Sequence, residues 1–108
     1  MSTGPSAAIA QSAAAEISIL PTPQGVEIKG SVIGLSEGEV TATMAIVKSD
    51  SAGTSNLTQA RAVEVRRGDR HIIGQTTLSI QPGGTLSVEL SVMQDGAEIA
   101  TAASTFEP

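Results

Sequence analysis

Cysteine, tryptophan and tyrosine are missing from this sequence of 108 residues, and Phe106 is its single aromatic residue. The lack of cysteine excludes disulfides and any reaction that needs a thiolate. Because 40% of the residues are apolar, the core has to be built from Val, Ile, Leu, Ala and Met. A chain of this length forms one small domain, and its β-branched aliphatic residues favour strands.

Positive charge is also scarce, since six Lys and Arg residues stand against eleven Asp and Glu residues and the net charge is −5. Nucleic-acid-binding domains usually carry a basic face, so we expect no nucleic-acid partner. No stretch of the sequence approaches the roughly 20 apolar residues that span a bilayer, so we expect no membrane insertion.

Residues that support catalysis or metal binding are equally few. His71 is the only histidine, and no nucleophile lies near it in the sequence to form a catalytic pair. A zinc site would need several carboxylates around this one imidazole, which is an improbable ligand set. We therefore expect no enzyme activity, no catalytic residue, no metal and no cofactor.

Short runs of β-forming residues alternate with turn residues from Glu16 onward, and no helical period is present. The predicted strands cover residues 15–20, 26–33, 40–48, 57–66, 71–80, 85–94 and 97–106. This pattern predicts an all-β fold, a seven-stranded antiparallel immunoglobulin-like β-sandwich, and we expect a monomer. Residues 1–15 are predicted to form a flexible N-terminal leader, and residues 16–108 the sandwich domain. The predicted core includes Ile28, Met44, Ile46, Val63, Val65, Leu78, Leu86, Val88, Leu90, Val92 and Ile99.

Two tight turns allow the strand register to be predicted. A two-residue turn at Asp95-Gly96 pairs Gln94 with Ala97 and, further out, Val92 with Ile99, Leu90 with Thr101 and Val88 with Ala103. A second turn at Gly68-Asp69, with glycine first, predicts a hairpin of type II′. In that hairpin Arg67 faces Arg70, Arg66 faces His71, and Val65 faces Ile72 on the core side. The Arg-Gly-Asp triplet is explained first by this turn, and an integrin-binding role is the minor alternative.

Four of the six basic residues, Arg61, Arg66, Arg67 and Arg70, fall within ten positions of this acidic chain. Such a cluster can protect a sheet edge from aggregation by its charge alone. The predicted Arg67/Arg70 pairing places like charges opposite each other, which is unfavourable for folding. A role of these arginines in binding a partner is therefore the second hypothesis, and the sequence leaves both open.

Three segments, "SAGTSNLTQARAVEVRRGD", "TTLSI" and "GGTLSVELSVMQDGAEIATAASTF", resemble the CsgH branch of the curli assembly chaperones. The resemblance covers roughly residues 16 to 106 and is most specific from Gly53 to Gln59 and in the closing hairpin. It implies a periplasmic immunoglobulin-like sandwich that keeps the curlin subunit from polymerising before secretion. The Cys-X-Cys pair of the related CsgC branch is absent, so no redox role is implied.

Curlin repeats are rich in Ser, Asn, Gln and Gly, which suggests a mechanism for the resemblance. An extended polar segment at Asn56 and Gln59 could pair with such a repeat by β-augmentation, and the arginines could attract acidic parts of the client. The residues hypothesised to bind the partner are Asn56, Gln59, Arg61, Arg66, Arg67 and Arg70. An extracellular adhesin or pilus-type module, for binding or structure, is the alternative function.

Overall fold

The computed structural model describes residues 12–108, which form seven strands. These are β1 (Ala13–Thr22), β2 (Gly25–Gly34), β3 (Gly38–Asp50), β4 (Gly53–Val65), β5 (Arg70–Leu78), β6 (Thr85–Gln94) and β7 (Ala97–Phe106). All seven predicted strands are present. The bounds of β6 and β7 match the prediction, and those of the other five strands differ by one to four residues. β1 includes residues 13 and 14 of the predicted leader, and β4 includes residues 53–56 of a predicted loop. Residues 1–11 of the predicted leader lie outside the described residues.

The strands form two antiparallel sheets, as the predicted sandwich requires. One sheet has the order β1-β2-β5 and the other the order β4-β3-β6-β7. The chain passes between the sheets after β2, after β4 and after β5. The edge strands β4 and β5 lie along one side of the sandwich, and the edge strands β1 and β7 lie along the other.

The core is aliphatic and follows from strict alternation along the strands. In β6 every second residue from Leu86 to Val92 is buried, whereas Ser87 and Glu89 between them are exposed. Nine of the eleven predicted core residues are buried, and the other two, Leu78 and Ile99, are partly buried against the core. Six further buried apolar residues were not predicted: Ala13, Val26, Val32, Val40, Ala42 and Ile73.

A pair of facing glycines lets one methionine cross the gap between the sheets. Gly30 in β2 lies opposite Gly74 in β5, and Met44 of the other sheet is fully buried against them. A Cβ added at Gly30 would lie 2.6 Å from the Met44 sulfur, and one added at Gly74 would lie 2.6 Å from its terminal methyl carbon. The two glycines therefore provide the space that the Met44 side chain fills.

The β6–β7 hairpin corrects the predicted register. The turn at Asp95-Gly96 is present, with φ angles of 52° and 80°, and Gln94 pairs with Ala97 as predicted. A bulge at Ile99 then shifts the pairing by one residue, because an extra residue on one strand moves all later partners. Val92, Leu90 and Val88 consequently pair with Ala100, Ala102 and Ser104, so the predicted partners Ile99, Thr101 and Ala103 are wrong.

Asp50 fixes the end of the sandwich at which β3 turns into β4. Its carboxylate accepts hydrogen bonds from the backbone N–H groups of Ala52 at 2.9 Å and of Gln81 at 3.1 Å. The Gln81 N–H is the largest cause that lowers the pKa of Asp50, and it acts with Ala52 and the Lys48 ammonium against the opposing effect of burial. Asp50 thus ties the β3–β4 turn to the loop before β6.

Candidate functional site

The β4 strand is a long edge strand with little cover. Its 13 residues pair with β3 on one side only. The six residues from Gly53 to Thr58 are all exposed, although the strand alternation places half of them on the core side of the sheet. Neither proline nor a charged residue occurs between Ser51 and Ala60. The usual protections of a sheet edge are therefore missing along this part of β4.

The hypothesised residues of β4 lie on two different faces of the sheet. Val63 and Val65 are buried, and the regular pairing with β3 carries their alternation back along the strand. This alternation places Gln59 and Arg61 on the core side and Asn56 on the outer side, where it lies opposite the exposed Val47. The three polar side chains do not form one surface.

Gln59 is folded into the space between the two sheets. Its side-chain oxygen would overlap a Cβ at Gly74, which shows how closely the amide covers that glycine. The same oxygen is buried and has no hydrogen-bond partner. Since a buried unpaired polar atom is costly, Gln59 is held in an unfavourable position at the opening between β4 and β5.

Arg61 connects the two edge strands on this side of the sandwich. Its guanidinium donates a hydrogen bond of 3.0 Å to the backbone oxygen of Ile72 in β5. The Ile72 side chain is 43% exposed, so its predicted place on the core side is wrong. A bulge in the β2–β5 pairing, where Ser31 lies opposite Ile72 and Gly30 opposite Gly74, accompanies this change of face.

The predicted hairpin at Gly68-Asp69 is wrong, because β4 and β5 belong to different sheets. The turn runs from Arg66 to Asp69, whose N–H donates to the Arg66 oxygen at 3.0 Å. Gly68, at the second central position, has a φ of 89°, as a type II turn requires. Arg67 is the first central residue, so Arg67 and Arg70 do not face each other, and the unfavourable like-charge pairing disappears.

Gly34 at the end of β2 holds this turn in place. The Gly34 N–H donates to the Asp69 oxygen at 2.8 Å, and the Gly68 N–H donates to the Gly34 oxygen at 2.9 Å. A side chain at Gly34 would overlap the Arg66 carbonyl. Gly34 was not among the predicted site residues, and its only signal in the sequence is a glycine directly after a predicted strand.

Two of the four arginine side chains bind another part of the chain, and the other two do not. Arg70 forms a salt bridge with Glu16 of β1, and Arg61 is bound to the Ile72 carbonyl. Arg66 and Arg67 are exposed and form no salt bridge with any residue from 12 to 108. We define Arg66 and Arg67, on the turn that Gly34 fixes, as the arginine turn.

Asp69 has structural contacts that account for its place in the Arg-Gly-Asp triplet. Its carboxylate accepts the Arg66 N–H at 3.1 Å and lies 3.6 Å from Nε2 of His71. The carboxylate is therefore part of the turn, which favours the structural explanation of the triplet over integrin binding. His71 itself is half-buried in β5.

The opposite side of the sandwich carries few charged groups. A shallow cavity of about 450 Å³ lies between the β1 and β7 edges and is lined by Ala14, Ala15, Glu98, Ile99, Ala100 and Thr101. Within residues 12–108, no cluster of three or more His, Asp or Glu side chains is arranged to hold a metal ion. No helix in that range is long and apolar enough to cross a membrane.

Comparison with known proteins shows similarity at the level of the fold. No protein-family model and no curated protein matches the sequence. The structure is similar to that of CsgH from R. palustris, with a TM-score of 0.66 and 21% identity over 89% of this chain and 92% of that chain. It is also similar to the E. coli curli protein CsgC, with a TM-score of 0.71 and 12% identity over 90% of this chain and 100% of that chain.

The same fold also occurs inside a much larger enzyme. β-Glucuronidase 2 of Bacteroides uniformis matches 86% of this chain with a TM-score of 0.56 and 14% identity, but the match covers only 13% of the enzyme. The sandwich is thus found both as nearly the whole of a small protein and as one part of a large one. These identities are low, so the comparisons establish the fold.

Proposed function

We propose that this chain is a curli-related periplasmic chaperone that binds the curlin subunit and prevents its premature polymerisation into amyloid. The observation that carries the proposal is the uncovered β4 edge, with the arginine turn at its end. The similarity to CsgH and to the curli protein CsgC, which extends over 92% and 100% of those chains, supports the curli-related role.

The β4 edge suits an amyloid-forming client because amyloid grows by strand pairing. A client segment in its extended form needs backbone hydrogen-bond partners, and the free side of β4 offers such partners along its length. A segment paired with β4 is not available to another client molecule. Backbone pairing depends little on sequence, so one edge can bind several similar repeats.

The arginine turn adds an electrostatic contribution to this binding. Arg66 and Arg67 are exposed and have no salt-bridge partner within residues 12–108, so both guanidinium groups can contact acidic parts of a client. Arg66 also lines a small cavity with Glu37, Glu39 and Glu64, so Arg67 carries the less compensated charge. Exposed charges of this kind act mainly on the rate of association, and salt screens them over about 8 to 10 Å. Arg61 and Arg70 instead contribute to the structure through Ile72 and Glu16.

The proposed activity is binding, so it requires no catalytic residue, metal or cofactor, and a monomer is sufficient. The test is thioflavin-monitored polymerisation of curlin, with and without the protein. We expect the parent protein to lengthen the lag time. Arg66→Gln/Arg67→Gln should reduce this effect and its dependence on salt, because the charges of the arginine turn are removed.

Thr101→Glu/Thr105→Glu is the matched control. It adds two negative charges on β7, at exposed positions on the far edge of the same sheet, and so changes the net charge by the same amount. We expect it to inhibit as the parent does. If both double variants lose inhibition equally, net charge and not the arginine turn is responsible.

A parent protein that leaves the curlin lag time unchanged would contradict the proposal. The adhesin or pilus-type module would then be the better function, since the glucuronidase match shows that this sandwich also serves as one part of a larger protein.

A further inference from the structure

The free part of β4 favours an uncharged partner strand. Residues 53–60 contain no charged side chain, and Arg61, which closes this stretch, is bound to Ile72 of β5. A charged side chain on an added strand would therefore find no counter-ion along residues 53–60. The edge of β5 is less available to an added strand, because the Ile72 carbonyl already accepts a hydrogen bond from Arg61.

A strand that pairs with β4 continues the sheet and places its side chains alternately on the two faces. Those on the core side would lie beside Leu57 and Gln59, which are two residues apart. Leu57 is 38% exposed and can pack against an apolar side chain. The neighbouring position on the added strand lies beside the amide of Gln59.

Gln59 has an unmet hydrogen-bonding requirement at this position. Its side-chain oxygen is buried against Gly74 without a donor. If the Gln59 side chain rotates toward the free edge of β4, its oxygen can accept a hydrogen bond from a donor on the added strand.

A carboxamide on the added strand can donate to the Gln59 oxygen and accept from the Gln59 nitrogen through two separate atoms, whereas a Ser or Thr hydroxyl has only one atom for both bonds. Asn and Gln each present one acceptor and two donor hydrogens, so two amides can bond reciprocally, as they do in the Asn and Gln ladders of stacked strands. A carboxylate supplies no donor, and an apolar side chain supplies neither group. The free edge, the exposed Leu57 and the unpaired Gln59 amide thus specify one kind of ligand.

We infer that β4 binds an extended, uncharged peptide strand that places Asn or Gln beside Gln59 and an apolar residue two positions away, beside Leu57. This inference rests on the proposed chaperone function, because it specifies the client sequence that the chaperone would bind. Binding of a synthetic peptide nevertheless tests it without curlin polymerisation.

The experiment uses a capped ten-residue peptide of alternating Thr, Ser and Val with one central Gln, and matched peptides with Leu or Glu in its place. Each is titrated into the isotope-labelled full chain, and backbone amide shifts give the site and the Kd. We expect shifts at residues 53–60 and binding of the Gln peptide roughly threefold to tenfold tighter than that of the Leu peptide, as one or two net hydrogen bonds provide. The Glu peptide should bind more weakly than either.

Gln59→Met keeps the side-chain length and removes the amide, so it should bind the Gln and Leu peptides equally well. Gln59→Leu is the second variant, and the amide spectrum shows whether each remains folded. Gln75→Met is the control, because it removes an exposed amide from β5, which belongs to the other sheet. It should retain the preference for Gln.

A preference for Gln that survives in Gln59→Met and Gln59→Leu would overturn the inference, as would shifts confined to β1 and β7 or the absence of binding. Failure of the chaperone function gives a different result. In that case the Gln preference at residues 53–60 remains, whereas the parent protein leaves the curlin lag time unchanged.

Discussion

Gly34→Ala should separate the arginine turn from the body of the sandwich. An added Cβ would overlap the carbonyl oxygen of Arg66, and a backbone atom cannot move aside by changing a rotamer. The turn must therefore shift, which weakens the Gly34–Asp69 and Gly68–Gly34 hydrogen bonds of 2.8 and 2.9 Å. Each such bond contributes about 0.5 to 1.5 kcal/mol, and forced overpacking costs about 1 to 3 kcal/mol.

We therefore expect Gly34→Ala to lower the free energy of unfolding by about 2 to 4 kcal/mol. Urea denaturation followed by far-UV circular dichroism measures the loss. Gly38→Ala is the control, because its added Cβ would meet the flexible end of the Gln94 side chain at 2.6 Å. A folded Gly34→Ala protein as stable as the parent would refute the argument that Gly34 positions Arg66 and Arg67.

The remaining predictions concern the core, the Asp50 clamp and the expected absence of metal chemistry. Leu90→Ala, at a fully buried position of β6, should cost about 2 to 5 kcal/mol, and an unchanged urea midpoint would contradict the core assignment. The lowered pKa of Asp50 contributes stability above the unfolded-state pKa that is lost as pH falls through the lower folded-state value. Asp50→Asn should therefore be less stable than the parent at pH 7, and the difference should shrink in acid; a difference that grows as pH falls would be inconsistent with this sign. Inhibition of curlin should persist in EDTA and in reductant, and loss in EDTA would indicate a metal site.

The sequence predicted local features well and long-range pairing less well. Alternation located every strand and most of the core, because burial of one face leaves a period of two in the residues. The bulge at Ile99 left no such trace, since Ile, Ala and Thr are compatible with either face of β7. One extra residue there exchanged the faces of Thr101 and Ala102 relative to the prediction.

The candidate site was predicted only in part for a similar reason. The clustering of four arginines is visible in the sequence, but their contacts depend on residues far away in the chain. Glu16 lies 54 positions from Arg70, and Gly34 approaches the Arg66 turn only because β4 and β5 belong to different sheets. A turn that joins two sheets and a hairpin turn use the same residues, so local sequence does not distinguish them.

The burial of Met44 between Gly30 and Gly74 means that oxidation of its sulfur can report separation of the two sheets. Met44 is fully buried, whereas Met93 on the outer face of β6 is only half-buried. Sulfoxide formation requires contact with a dissolved oxidant and adds an oxygen for which this closely packed space has no room. Peroxide should therefore modify Met93 in the folded protein, and Met44 only when the two sheets separate. The ratio of the two oxidation rates would then measure how often the sandwich opens, in a protein that has no cysteine or tryptophan to report it.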